Sequence, residues 1–230
     1  MLLDGIREAL RLIATLDREV VDIVVLSLQV SLAATLISTI GGVAAGTALA
    51  LVNFPGRRIV VSLVNTGMGM PPVVVGLFVT LLLWRSGPLG RFELLFTPSA
   101  IIIAQTVIAM PIVTGISLAA IQQLPPKLRD QILALGATRL QMVWMLMRQA
   151  RLPLLAAVMA GLGGVLSEVG AAVMVGGNIK GQTRVLTTAT VIETSKGNFE
   201  TAIAFGLILL LVTFLLNAGL THIQQRNRPR

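Results

Sequence analysis

The sequence predicts an all-α integral membrane fold. Five transmembrane helices, an amphipathic helix at the N-terminus and one long polar segment in mid-chain make it up. Three observations lead there. Hydrophobic residues make up 55% of the 230 and charged residues only 12%, where an ordinary soluble domain runs nearer a quarter charged. One soluble core of this size cannot bury the surplus, so lipid must solvate part of it. Five apolar stretches reach the roughly 20 residues that a bilayer crossing needs. Between the third and fourth lies a polar, basic, helix-forming island at 121–151, IQQLPPKLRDQILALGATRLQMVWMLMRQAR, with a glycine near its centre.

Taken in order, residues 1–19 read as a surface helix. Leu2, Ile6, Leu10, Ile13 and Leu16 recur at helical spacing among Asp4, Arg7, Glu8 and Arg11, the pattern of a helix lying in the membrane interface. The mixed charges and the lack of an apolar core argue against a signal peptide. The remainder, 20–222, holds spans at about 20–52, 59–84, 99–121, 152–175 and 202–222, with the polar segment at 122–151 between the third and fourth and a tail at 223–230. The first span carries Ser27, Ser31, Thr35, Ser38, Gly41, Gly42 and Gly46, small residues suited to close helix packing.

The second span contains NTGMGMPPVVVG. Pro72 has no N–H to give and disfavours helical geometry at Pro71, so a regular helix cannot pass through. Broken backbone at membrane depth needs protein or a water-filled cavity around it. The break at Pro71, Pro72 and Val73 is therefore either a packing kink or a gate element. The fourth span opens at Pro153, tolerated in a first turn, and runs into SEVGAAVMVGGN. Glu168 is the one acid within a span. Intramembrane charge is costly and points to function; a structural hydrogen bond, or a place near the outer mouth, is the alternative. The segment 177–200 threads apolar residues through Thr187, Thr188, Thr190 and Thr194. It is either a short helix turned back toward the pathway, with hydroxyls able to ligate an oxyanion, or an external cap.

Net charge is +8. In this setting it sets membrane orientation and does not mark a nucleic-acid partner. If 53–58, 121–151 and 223–230 share one side, that side holds ten Lys and Arg with one acid, Asp130. The other side holds eight of each, or five Lys and Arg without the N-terminal helix. The positive-inside rule then places the N-terminus outside and the C-terminus in the cytoplasm.

No catalytic site and no metal site emerges. Cysteine is absent, the single histidine is His222, and no glycine-rich phosphate loop ends in Lys-Ser or Lys-Thr. The chain needs no cofactor of its own, and ATP, if used, must be handled by another chain.

The island resembles the cytoplasmic signature of membrane subunits of type I ABC importers: Glu-Ala-Ala, three residues, Gly, then Ile-x-Leu-Pro after a further nine. Here Asp130-Gln131-Ile132 stands for Glu-Ala-Ala, Gly136-Ala137-Thr138 follows, and Leu152-Pro153 closes the segment, about one helical turn later than in the family. MPPVVVGLF (70–78) and SEVGAAVMVGGNIKGQTR (167–184) resemble molybdate permeases, with Glu168 followed by Val where the family has Glu-Phe-Gly. VLTTATVIETSKGNFETAIAFG (185–206) is most similar to tungstate permeases.

The resemblance implies a MetI-like fold and a permease subunit for tungstate or molybdate. Two copies would form the pathway, two ATPase subunits carrying ATP and Mg would lie below, and a substrate-binding protein would deliver the anion outside. It implies ATPase coupling through Asp130, Leu133, Ala134, Gly136, Ala137, Thr138 and Arg139, and a pathway or gate at Pro71, Pro72, Val73, Glu168, Thr187 and Thr188. The alternatives are another oxyanion such as sulfate, a stand-alone anion channel or carrier, and a scaffold subunit. The docking island argues against the channel, and the Pro-Pro break argues against the scaffold.

Overall fold

The computed structural model describes residues 2–15 and 17–226, all in helices, turns and loops. Leu16 and the tail beyond 226, both part of the sequence reading, lie outside the described residues, as do the side chains of Leu2 and Arg226.

Helix α1 (Leu2–Ala14) sets a narrow face of small residues on the last helix, α11 (Phe199–Arg226). A Cβ at Gly5 would fall 2.5 Å from Ile203, and Ala9 is buried. Leu3, Ile6, Leu10 and Ile13 stay exposed on the other side, so the apolar stripe is turned away from the rest of the subunit. The helix ends at Ala14. Arg18 and Glu19 already belong to α2 (Arg18–Leu51), whose first turn is capped by Asp17 accepting the Val20 N–H at 3.2 Å.

At 1.5 Å per residue, the 34 residues of α2 extend about 50 Å, more than a bilayer core. Its partner is α5 (Pro98–Gln122). The two backbones touch because α2 offers glycine at the crossing: a Cβ on Gly46 would lie 2.5 Å from the Thr114 carbonyl oxygen. This pair is the bundle's spine. The apolar core beside it joins Val30, Ile101, Ala104 and Ile108 to Val75, Val79, Ala171 and Val175.

Two expected spans are not single helices. The stretch 59–84 is α3 (Arg57–Met68) and α4 (Pro72–Leu83), bent by 106°. Pro72 sits in the first turn of α4, where its missing N–H costs nothing. The stretch 152–175 is α8 (Arg151–Leu166) and a short α9 (Gly170–Gly176), separated at Ser167–Val169. Among the described residues three helices, α2, α5 and α11, are long and apolar enough to cross a membrane alone. The number reaches five if the bent pairs α3–α4 and α7–α8 each count as one span.

The island folds as α6 (Pro126–Ala134) and α7 (Arg139–Gln149), and α7 meets α8 at a 71° bend. The island is thus a helix–turn–helix and not one helix. The stretch after α9 turns at 177–185 and forms α10 (Leu186–Ser195), the short helix that its apolar thread suggests. Loop 84–97 runs through turns and holds one short 3-10 helix at Gly90–Phe92.

Candidate functional site

The turn at Gly136 is closed by its own backbone. The Gly136 N–H donates to the Leu133 carbonyl at 3.0 Å and the Ala137 N–H to the Ile132 carbonyl at 3.4 Å. This is the hydrogen-bond pair of a Schellman helix end, which needs a left-handed residue between the helix and the next segment. Gly136 supplies it at φ +86°. Ala137 also packs with Ile132, Met142 and Leu146. On the far side of the turn, Thr138 and Gln141 form a reciprocal cap: the Gln141 N–H donates to Thr138 Oγ1 at 3.3 Å, and the Thr138 N–H to Gln141 Oε1 at 2.8 Å. Two caps in six residues hold α6 and α7 at a fixed angle.

Arg129 fastens this corner to the end of α2, its Nη1 donating to the Leu51 carbonyl at 3.1 Å, and Arg57 at the start of α3 donates its Nε–H to the Leu49 carbonyl at 2.7 Å. These are carbonyls that a helix end leaves without partners. Both arginines were counted in the sequence only as positive charge.

Outward, the corner is apolar: Leu135 is 86% exposed, Leu140 80% and Trp144 59%. Ile132, Leu135, Gly136, Ala137, Gln141, Trp144 and Met145 line a groove of about 440 Å³. Arg148 lies over the Trp144 ring at 5.3 Å. Asp130, Leu133, Ala134 and Arg139 are exposed on the same two helices. An exposed apolar surface of this kind marks an interaction site.

The second cluster forms where the two helix breaks meet. A Cβ on Gly170 would lie 2.8 Å from Val73 Cγ2, and one on Gly76 would lie 2.7 Å from the Ala171 Cα. The start of α4 therefore rests directly on α9. Glu168 is buried, and its Oε1 accepts the Ala171 N–H at 2.7 Å. The carboxylate caps the first turn of α9, at the helix end where negative charge is favoured. Thr187 Oγ1 donates to the Glu168 carbonyl at 2.9 Å, and Gln105 Nε2 donates to the Val165 carbonyl at 3.4 Å. Each backbone group named here that the α8–α9 interruption exposes has a side-chain partner, as broken helix within a membrane requires.

Val73, Glu168 and Thr187 are thus neighbours, with Pro72 at the root of α4 and Pro71 exposed beside it. Val73 remains 56% exposed despite its contact with Gly170, so this cluster presents one open side. Thr188 faces the other way. It accepts the Val185 N–H at 3.1 Å and donates to Asn178 Oδ1 at 2.9 Å, which fixes the turn before α10. Sequence reasoning missed Gln105 and Asn178 and gave Ser27 only a packing role. A lone glutamine inside a 25-residue apolar helix was the available signal, since polar side chains in such helices are there for a partner. Ser27 donates to the Ile23 carbonyl at 2.6 Å and accepts the Leu186 N–H at 2.8 Å, joining α2 to α10.

At the other end of α10, Glu193 accepts from Asn198 Nδ2 at 2.8 Å and from Lys196 Nζ at 2.7 Å. The Asn198 amide first, and Lys196 second, hold its carboxyl below the usual carboxylate range. Among the described residues no three His, Asp or Glu side chains gather as a metal site would require.

Residues 38–229 match the family of binding-protein-dependent transport system inner membrane components, and the chain belongs to that family. It is similar to a probable anion ABC transporter permease protein of Haloferax volcanii, 46% identical over 91% of this chain and 93% of the relative. It is also similar to the tungstate uptake system permease protein TupB of Peptoclostridium acidaminophilum, 36% identical over 96% and 97%. Among solved structures, the fold matches that of the MetNI methionine ABC transporter in an inward-facing conformation. The TM-score is 0.76 at 20% identity, covering 94% of this chain and 99% of that one. The MetI-like, all-helical expectation is met, and the chain is an inner-membrane permease component.

Proposed function

We propose that this chain is the permease subunit of an ATP-driven importer of tungstate, with molybdate as the nearest competing substrate. The observation that carries the substrate class is the nearly full-length likeness to a tungstate uptake permease. The two ions are tetrahedral dianions of almost equal size, so the permease has little to separate them by; selection belongs mainly to the binding protein. The chain itself has no phosphate loop, and ATP with Mg is bound by the ATPase partner. Two copies of the chain enclose the path and two ATPase subunits sit beneath. The basic side with Arg57, Arg58, Lys127 and Arg129 faces the cytoplasm, and the N-terminus lies outside.

The corner at 126–149 supports a drive mechanism. Closure of the ATPases displaces α6 and α7 together, because the caps at Gly136 and Thr138 prevent them from flexing separately. Through the 71° bend α7 carries α8 with it, and α8 ends at the Ser167–Val169 break beside Val73. A push at the corner therefore arrives at the pathway cluster and is not absorbed on the way. Glu168 serves there as a helix cap and Val73 as the exposed wall.

The test is reconstitution of the chain with its ATPase and binding protein in vesicles. Tungstate uptake that requires all three and ATP supports the reading. Equal uptake of sulfate would refute the substrate, and uptake without the ATPase would favour a channel or carrier.

A further inference from the structure

Behind the Ser167–Val169 break, α2, α5, α8, α10 and α11 converge on one small space. Ser27, Ser31, Gln105, Val165, Thr187 and Leu209 border a cavity of about 10 Å³. Gln105 is only 2% exposed. Its Nε2 donates to the Val165 carbonyl, whereas its Oε1 is buried with no partner among the described residues. Turning the amide over would set two oxygens against each other, so the orientation is fixed by the Val165 bond. A buried acceptor left unpaired is costly. The Ser27 hydroxyl, donating to Ile23 and accepting from Leu186, keeps one lone pair in reserve. The Ser31 hydroxyl adds a further donor and acceptor to the lining. A space of about one probe sphere, roughly 10–15 Å³, with two to four polar partners is what a buried water requires.

We propose that this is a single-water site. The water donates to Gln105 Oε1 and bridges to the Ser31 hydroxyl of α2. It completes the support of the last turn of α8 and ties it to the α2–α5 spine. Through its bond to the Val165 carbonyl, Gln105 joins α5 to the last turn of α8, where the Glu168 N–H also donates to Val165. The inference rests on the chain's own residues and not on which anion is carried.

The experiment uses the permease assembled with its ATPase in lipid nanodiscs. X-ray hydroxyl-radical footprinting labels side chains next to bound water. Val165 and Leu186, both 1% exposed, should label, whereas Ile101, at 0% in an all-apolar cluster, should not. In Gln105→Met, close in volume, the labelling of Val165 and Leu186 should be lost. A cryo-EM map that resolves internal waters should show density within hydrogen-bond distance of Gln105 Oε1. The site is overturned if such a map is empty there, if Val165 labels no more than Ile101, or if Gln105→Met leaves the labelling intact. Should Gln105→Met fail to assemble, the wild-type comparison of Val165 with Ile101 decides alone.

Discussion

Replacing Gly136 separates a backbone role from a contact role. The residue lies at φ +86°, and a Cβ built there meets nothing within 4 Å. The subunit itself therefore exerts no steric objection to a side chain; the penalty is conformational. An L-residue held in the left-handed region costs roughly 1–2 kcal/mol, less for Asn and more for a β-branched side chain. A penalty of that size lowers the population of the closed corner about 5–30-fold. Because the Schellman pair and the Thr138–Gln141 cap share this corner, α6 and α7 lose their fixed angle together. The series Gly136→Asn, Gly136→Ala and Gly136→Val should thus lose ATP-driven uptake in that order, and ATPase co-purification should weaken in parallel. Side-chain volume places Asn above Ala, and that is the discriminating pair. If Gly136→Asn is as damaging as Gly136→Val while Gly136→Ala is tolerated, the glycine is needed for room at the ATPase surface, and the backbone argument is refuted.

Three other expectations follow from the geometry. Glu168→Gln keeps an acceptor for the Ala171 N–H and should retain tungstate uptake, whereas Glu168→Ala leaves that N–H unpaired at about 1–3 kcal/mol and should lose it; loss in both variants would mean that the charge itself acts in the pathway. Gly46→Ala forces a Cβ to within 2.5 Å of the Thr114 carbonyl oxygen, and overpacking of the α2–α5 spine should lower stability by about 1–3 kcal/mol, read as a fall in thermal midpoint in detergent. Glu193 titrates below its ordinary 4.5, so its contribution is complete above that pH and is lost as the pH falls through the lower folded value. Thermal midpoints of wild type and Glu193→Gln should therefore differ at neutral pH and converge on acidification; a constant gap would show that the Asn198 and Lys196 contacts do not depend on the charge.

Much of the fold could be read from local rules. Pro71-Pro72 broke a helix because proline lacks an N–H, and Gly136 divided the island because glycine alone enters the left-handed region freely. The limits of α2 and α5 fell within two residues of the apolar stretches that suggested them. The interruption at Ser167–Val169 could not be read in this way. Those residues are compatible with helix, and the chain breaks there because Glu168, Thr187 and Gln105 offer its backbone other partners. Likewise, nothing in the island reveals that Arg129 helps to complete the end of α2, since that bond joins residues 78 positions apart.

The sequence by itself determined the solvent, the helical class, the polar corner and the places where proline and glycine forbid continuity, because each follows from composition or from the dihedral limits of single residues. Only the tertiary structure decided that the two broken helices meet, with Val73 on Gly170. It also turned Glu168 inward as a cap and Thr188 away, and assembled Gln105, Ser27 and Ser31 around one buried space. Those outcomes depend on distances between residues up to 159 positions apart, which close packing of five helices fixes and which no local pattern encodes.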